Sequence, residues 1–165
     1  MHSLAGYSIV CYLLQIKDRH NGNIMLDEEG HLIHIDYGFM LWNSPGGLNF
    51  ESAPFKLTRE YIDLMGGAES ATFSYFKSIF VKGFLEVRKH QERIVTLVEI
   101  MLPGSRLPCL QAGQPVIDAL KERFAMNLTE SECITHAESL VARSLDTWRT
   151  RQYDKFQYMS NGILY

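Results

Sequence analysis

The stretch Gln15-Ile16-Lys17-Asp18-Arg19-His20-Asn21-Gly22-Asn23-Ile24-Met25-Leu26-Asp27-Glu28-Glu29-Gly30-His31-Leu32-Ile33-His34-Ile35-Asp36-Tyr37-Gly38 decides the fold. Residues 15–23 are polar apart from Ile16 and include Gly22, which predicts a loop. Ile24–Leu26 and His31–Ile35 are short, partly β-branched runs separated by Asp27-Glu28-Glu29-Gly30. Acidic turn residues ending in glycine between two such runs predict a β-hairpin with a four-residue connection. Gly30 supplies the positive φ that such a turn usually needs. A hairpin brings its outer ends together. Asn23, just before the first strand, and Asp36, just after the second, should therefore be neighbours.

Working outward, residues 3–14 are almost wholly apolar, and their length favours a buried helix over a strand. Residues 36–57 carry Gly38, Pro45, Gly46, Gly47 and Pro54 without periodicity, and a loop of that length inside a compact domain is usually functional or mobile. Everything beyond reads as helical. Thr58 caps a helix over 59–65, closed by Gly66-Gly67. Phe73, Phe76, Phe80, Phe84 and Val87 recur at helical steps, as do Ile94, Leu97, Val98 and Met101 up to Pro103. Residues 102–115, with three prolines and two glycines, read as a connecting loop. Thr129 and Glu132 form a capping box ahead of Ile134, Ala137, Leu140, Val141, Leu145 and Trp148. A last helix near 151–160 carries Tyr153, Phe156 and Tyr158. The pattern predicts an α+β fold, mostly α-helical, with one small β-hairpin flanked by polar loops.

Composition narrows the function classes. A chain of 165 residues, 46% hydrophobic and 21% charged, suits one folded domain and excludes disorder. No apolar run approaches the ~20 residues that span a bilayer, so membrane contact would be peripheral. A net charge of −3 argues against generic nucleic-acid binding. Residues 1–65 hold four Lys/Arg against eight Asp/Glu, an acidic part able to hold cations or simply to face solvent. Cys11, Cys109 and Cys133 lack C-x-x-C spacing and read as reduced thiols of a cytosolic protein.

Asp18, His20, Asn23 and Asp36 stand out as chemistry. An amide oxygen beside a carboxylate is a hard-oxygen pair suited to Mg²⁺, which prefers one or two protein carboxylates plus phosphate and water. His20 and Asp18 lie beside that pair as a base and its electrostatic partner. A hydroxyl attacking a phosphate needs this set. Taken singly, each residue is also an ordinary loop residue; their placement around the hairpin is what sets them apart. Lys17 and Arg19 read either as positioning residues or as solvated surface. His31 and His34 alternate with apolar neighbours and are expected on one face of a strand, satisfied or exposed rather than metal-bound.

Asp18-Arg19-His20-Asn21-Gly22-Asn23 followed by Ile35-Asp36-Tyr37-Gly38 resembles the catalytic and metal-binding signatures of the phosphatidylinositol 3-/4-kinase family and its related large protein kinases. The stretches YSIVCYLLQIKDRHNGNIML, HIDYGFML, FKLTREYIDLMGG and YDKFQYMSNGI extend the likeness over the chain, toward the type III phosphatidylinositol 4-kinases. The resemblance implies a protein-kinase-like C-terminal lobe over 1–165, with a catalytic loop at 15–23 and an activation loop at 34–58. It implies Asp18 and His20 as the acid/base pair on the inositol hydroxyl, and Asn23 and Asp36 as holders of Mg²⁺ on the ATP phosphates. Met25 and Ile35 would floor the adenine pocket. The lipid-facing residues would be Lys56 and Trp42, tryptophan being suited to the headgroup region.

Between Tyr37 and Leu57 the only basic residue is Lys56, opposed by Glu51, which fits a headgroup carrying no extra phosphates. Phe39, Met40, Leu41, Trp42, Leu48, Phe50 and Phe55 lie in this loop, and the final helix adds aromatics beside Arg149, Arg151 and Lys155. Tyr37 replaces a more usual Phe, and Gln15-Ile16-Lys17 stands where many relatives carry Gly-Ile-Gly. No G-x-G-x-x-G or Walker pattern occurs, so the N-terminal lobe is expected to be absent from this chain and to be needed as a partner. The resemblance further implies ATP and membrane phosphatidylinositol as substrates, recruiting adaptor proteins, and a cytoplasmic place on membranes such as the Golgi. Two alternatives stay open: a catalytically inactive interaction module, and a related protein kinase.

Overall fold

A computed structural model describes residues 1–47 and 53–164. Helix α1 (His2–Leu14) is apolar on nearly every side and buries Leu4, Ala5, Ile9, Cys11 and Leu13, as a helix without a polar face must. It packs on α3 (Ala71–Arg88), which in turn packs on α6 (Glu130–Ser144). The α3 face is the predicted aromatic stripe: Phe76, Phe80 and Phe84 are fully buried and Phe73 nearly so. Each ring contributes up to roughly 1.5–3 kcal/mol by leaving water. Gly83 lets α1 and α3 close, because a Cβ there would lie 2.7 Å from Ile9 Cδ1.

Helices α2 (Arg59–Leu64), α4 (Gln91–Met101) and α5 (Gln114–Arg123) complete the packing around this centre, α5 resting on both α4 and α1. Two arginines close helix ends whose carbonyls lack intrahelical partners. Arg88 donates to the carbonyls of Phe124, Ala125 and Leu128. Arg123 Nε donates to the Leu13 carbonyl at 2.6 Å, and burial pushes its pKa down to about 10. The Thr129–Glu132 capping box forms as read. Cys11, Cys109 and Cys133 are free thiols, the first and last buried.

The hairpin pairs β1 (Ile24–Leu26) with β2 (Leu32–His34), antiparallel, with Ile24 opposite His34 and Leu26 opposite Leu32. Asp27 Oδ1 accepts from the backbone N–H of Glu29 and His31, an Asx turn that holds the Asp27 carboxyl below its ordinary pKa. Ser3 of α1 accepts from the Leu32 N–H and docks the hairpin on the helix.

Three expectations are corrected. Residues 31 and 34 are an odd number apart, so His31 and His34 fall on opposite faces. His34 is buried, stacked on Tyr7 at 4.2 Å, with Nδ1 3.5 Å from Cys11 Sγ; His31 is exposed beside Asp27. Residues 102–115 are not all loop, since α5 starts at Gln114 with Pro115 in its first turn, where a missing N–H costs nothing. Lastly, α7 (Trp148–Asn161) is longer than read, and it folds back over the 15–23 loop.

In the 34–58 segment, Pro45–Gly47 forms a tight turn and Leu57 makes a parallel bridge to Leu145. Leu48, Phe50 and Glu51 lie outside the described residues. Among the described residues no helix is long and apolar enough to cross a membrane.

Candidate active site

The 15–23 loop and the end of β2 are joined by one side chain. Arg19 is 3% exposed, and its guanidinium donates to four carbonyls. Nε reaches Lys17 O at 3.0 Å, and Nη1 reaches Ile35 O at 2.8 Å and Asn23 O at 3.5 Å. Nη2 donates to Asp36 O. The Ile35 N–H adds a bond to Asn23 O at 3.0 Å. Asn23 and Asp36 are therefore backbone neighbours, as the hairpin argument required. The guanidinium also lies 5.7 Å from the Tyr37 ring centre, and the Tyr37 hydroxyl donates to His34 O.

Left-handed bends aim the acidic side chains. Asp18 has φ 63° and Asp36 φ 56°, with Gln15 and Leu41 also left-handed. Non-glycine residues hold such conformations only where their surroundings over-determine them. Asp36 Oδ1 accepts the Gly38 N–H at 3.0 Å, a local bond that short acidic side chains use in this region.

Asp18, His20 and Asn23 meet in one cluster. The Asn23 amide donates to Asp18 O at 2.9 Å and lies 3.2 Å from His20 Nε2. With both amide hydrogens used, Asn23 presents Oδ1 as its remaining polar atom. Accepting from Asn23 makes Nε2 the lone-pair nitrogen of the neutral ring, so the network assigns the proton to Nδ1. That Nδ1 is buried without a hydrogen-bond partner. Asp18 Oδ1 lies 3.7 Å from Nε2, the natural recipient when Nε2 carries a proton. Among the described residues no group of three or more His, Cys, Asp or Glu gathers as a metal cage. One carboxylate and one amide oxygen on adjoining backbone, completed by phosphate oxygens and water, is nevertheless a donor set that suits Mg²⁺.

The hairpin offers an apolar outer face beside this cluster. Met25 is 51% exposed, Ile33 and Ile35 each 39%. Met25 pairs with Ile33, and Ile35 is two residues on, so the three share one side. The sequence reading named Met25 and Ile35 and missed Ile33, although strand alternation alone points to it. On the opposite side, burial pushes the His34 pKa down to about 4, assisted by the charges of Arg19 and Lys56.

The two lipid-facing assignments part company. Trp42 is 52% exposed, while Leu41 and Phe55 are buried. Lys56 turns inward instead. Its side chain is 7% exposed, with Nζ 2.7 Å from Asp154 Oδ1 and 3.2 Å from Asn21 Oδ1. A lone cation in a partly dry site seeks a carboxylate, and α7 supplies one. Tyr153, grouped with the exposed aromatics from sequence, is 8% exposed and donates to Asp18 Oδ1. Phe156, Tyr158 and Trp148 of α7 are exposed. Arg19 takes the positioning role that was one of its two readings, whereas Tyr153 and Asp154 were missed as site residues and left only a faint signal, polar groups recurring along an aromatic helix.

Residues 1–112 match the family described as phosphatidylinositol 3- and 4-kinase. The chain belongs to that family. It is 59% identical, over 99% of its length, to phosphatidylinositol 4-kinase beta 1 of Arabidopsis thaliana. Over the same share it is 53% identical to a phosphatidylinositol 4-kinase of Dictyostelium discoideum and 51% identical to phosphatidylinositol 4-kinase beta of Danio rerio. It spans 15%, 14% and 20% of the length of these three curated relatives.

Proposed function

We propose that this chain is the C-terminal catalytic lobe of a phosphatidylinositol 4-kinase, moving the γ-phosphoryl group of ATP to the 4-hydroxyl of phosphatidylinositol. The observation that carries the reading is the Arg19 tie, which sets Asp18, His20 and Asn23 beside Asp36 at one end of the hairpin. In this reading residues 15–23 are the catalytic loop and 34–58 the activation loop. Asn23 Oδ1 and the Asp36 carboxylate would hold Mg²⁺, whose charge would offset that of the ATP phosphates. Met25, Ile33 and Ile35 give the adenine ring an apolar floor, and an N-terminal lobe acting as partner supplies the cover.

Asp18 orients the inositol hydroxyl, and His20 receives its proton at Nε2. Once protonated, Nε2 no longer accepts the Asn23 amide and donates toward Asp18 Oδ1, so the proton stays inside the cluster. Catalytic hydrogen bonds are often long before substrate arrives, and the 3.7 Å separation fits that habit. Substrate choice follows from charge. Lys56 is the only basic residue between Tyr37 and Leu57, and its ammonium is already occupied by Asp154. A headgroup with extra phosphates would call for free Arg or Lys there. Trp42 anchors the activation loop at the interface, adaptor proteins recruit the enzyme, and it works peripherally on cytoplasmic membrane faces, the Golgi among them; no nucleic acid is involved.

The test incubates the chain, together with the N-terminal lobe that this reading requires, with labelled ATP, Mg²⁺ and vesicles of phosphatidylinositol, phosphatidylinositol 4-phosphate or a peptide mixture. Label on the 4-position of phosphatidylinositol alone is the expected result. Label on peptide makes the chain a protein kinase, and no label under any condition favours an inactive interaction module.

A further inference from the structure

We propose that Tyr153 is a positioning residue for Asp18, the last donor of a hydrogen-bond chain that runs along α7 into the catalytic loop. The proposal rests on the kinase reading, in which Asp18 orients the attacking hydroxyl. Tyr153, Gln157 and Asn161 are spaced by four and share one face of α7. Asn161 Nδ2 donates to Gln157 Oε1 at 2.6 Å, and Gln157 Nε2 donates to the Tyr153 oxygen at 2.9 Å. The Tyr153 hydroxyl donates to Asp18 Oδ1.

The direction of donation is fixed. Gln157 uses its carbonyl oxygen toward Asn161, so its amide nitrogen faces Tyr153. The phenol oxygen accepts there, and its single proton goes to the carboxylate. Each bond polarises the next toward Asp18, and a charged acceptor makes the final bond the strongest. Asp18 needs such support because its left-handed backbone does not by itself hold the carboxylate plane. Fixing Oδ1 from α7 sets the angle at which the carboxylate meets a substrate. Two further ties keep α7 in register on this loop: Lys56 bridges Asp154 and Asn21, and the Asn21 amide donates to Leu164 O. Tyr153 and Gln157 are buried, so water does not replace either group.

The kinetic test uses the protein expressed from its full reading frame. Tyr153→Phe removes one oxygen and keeps the ring. The expected result is a kcat for phosphatidylinositol about 10- to 100-fold lower, the worth of one hydrogen bond to a charged group, with the KM for ATP and lipid unchanged and the Tm lower by only about 3–10 °C. Gln157→Met, which keeps the phenol but removes its donor, gives a smaller loss. Adding Tyr153→Phe to Asp18→Asn changes turnover less than about 2-fold, because the two act as a unit.

Unchanged kcat in Tyr153→Phe beside an inactive Asp18→Asn overturns the positioning role and leaves the kinase reading standing. Full turnover in Asp18→Asn overturns the reading itself. A second measurement does not depend on turnover. Proton NMR of the 165-residue chain should show a downfield, slowly exchanging Tyr153 hydroxyl that vanishes in Tyr153→Phe and moves upfield in Asp18→Asn. Absence of that signal from the wild-type chain refutes the proposal whatever the kinetics give.

Discussion

Replacing Arg19 with Met removes the charge and all donors of the guanidinium while keeping an unbranched apolar stem in the same space. Two of its bonds, to the carbonyls of Lys17 and Ile35, are of ordinary length; it also donates to the Asp36 carbonyl, and the fourth bond, to Asn23, is at the limit. Bonds from a charged donor are worth about 1.5–3 kcal/mol each. Their sum overstates the loss, because losing the buried charge also removes its desolvation penalty. A net cost of about 3–5 kcal/mol follows, a large share of the 5–15 kcal/mol that holds a typical domain. Tm should fall by roughly 10 °C in a domain of this size. Arg19→Lys, which presents one compact ammonium to carbonyls on two segments, should lose about half as much. Urea unfolding of the chain followed by circular dichroism measures both. His34 supplies an independent readout: with the Arg19 charge gone, its pKa should rise from about 4 toward its ordinary value. A loss below about 1 kcal/mol in Arg19→Met with His34 unmoved would refute the claim that this side chain joins the two halves of the site.

Stability should also depend on pH through His34. Its folded pKa of about 4 lies below the ordinary 6.5, so the unfolded chain binds more protons between these values. The contribution is full above pH 6.5 and is lost as pH falls toward 4, on the order of 3 kcal/mol; Tm against pH should flatten over that window in His34→Gln. His20→Ala should slow phosphoryl transfer by ~10²–10⁴-fold while ATP affinity, measured by calorimetry, stays nearly intact. A matched loss of affinity would assign His20 to nucleotide binding instead. Trp42→Ala should weaken binding to phosphatidylinositol vesicles and raise the KM for lipid without touching that for ATP. If Trp42 fluorescence is indifferent to vesicles, the anchor role fails.

The parts of the fold that were legible in the sequence are those set by local rules. The Phe73–Phe84 stripe, the Thr129–Glu132 box and the Asp27–Gly30 turn each carry their own period or cap, and each forms. Asn23 and Asp36 were legible as a pair because a hairpin constrains its ends whatever surrounds it. What stayed hidden depends on distant partners. Lys56 looks like a surface cation until Asp154, 98 residues away, takes its charge. Tyr153 reads as one more aromatic of an amphipathic helix until α7 folds onto Asp18. Arg19 is ambiguous between solvent and clamp, since its four acceptors are backbone carbonyls that no side-chain pattern betrays. The α5 start was obscured by composition, because Gly113 and Pro115 signal a break and a first turn equally well.

The central claim is that Asn23 and Asp36, brought together at the end of the hairpin, form the metal-dependent centre of phosphoryl transfer. Asp36→Asn keeps the shape of the side chain and the backbone bonds to Arg19, and removes only the charge. Single-turnover transfer from ATP to phosphatidylinositol, measured across a Mg²⁺ titration, addresses it most directly. The expected result is loss of transfer at every Mg²⁺ concentration with the Tm of the variant unchanged. Transfer near the wild-type rate, with the same dependence on Mg²⁺, would place the metal elsewhere and contradict the account.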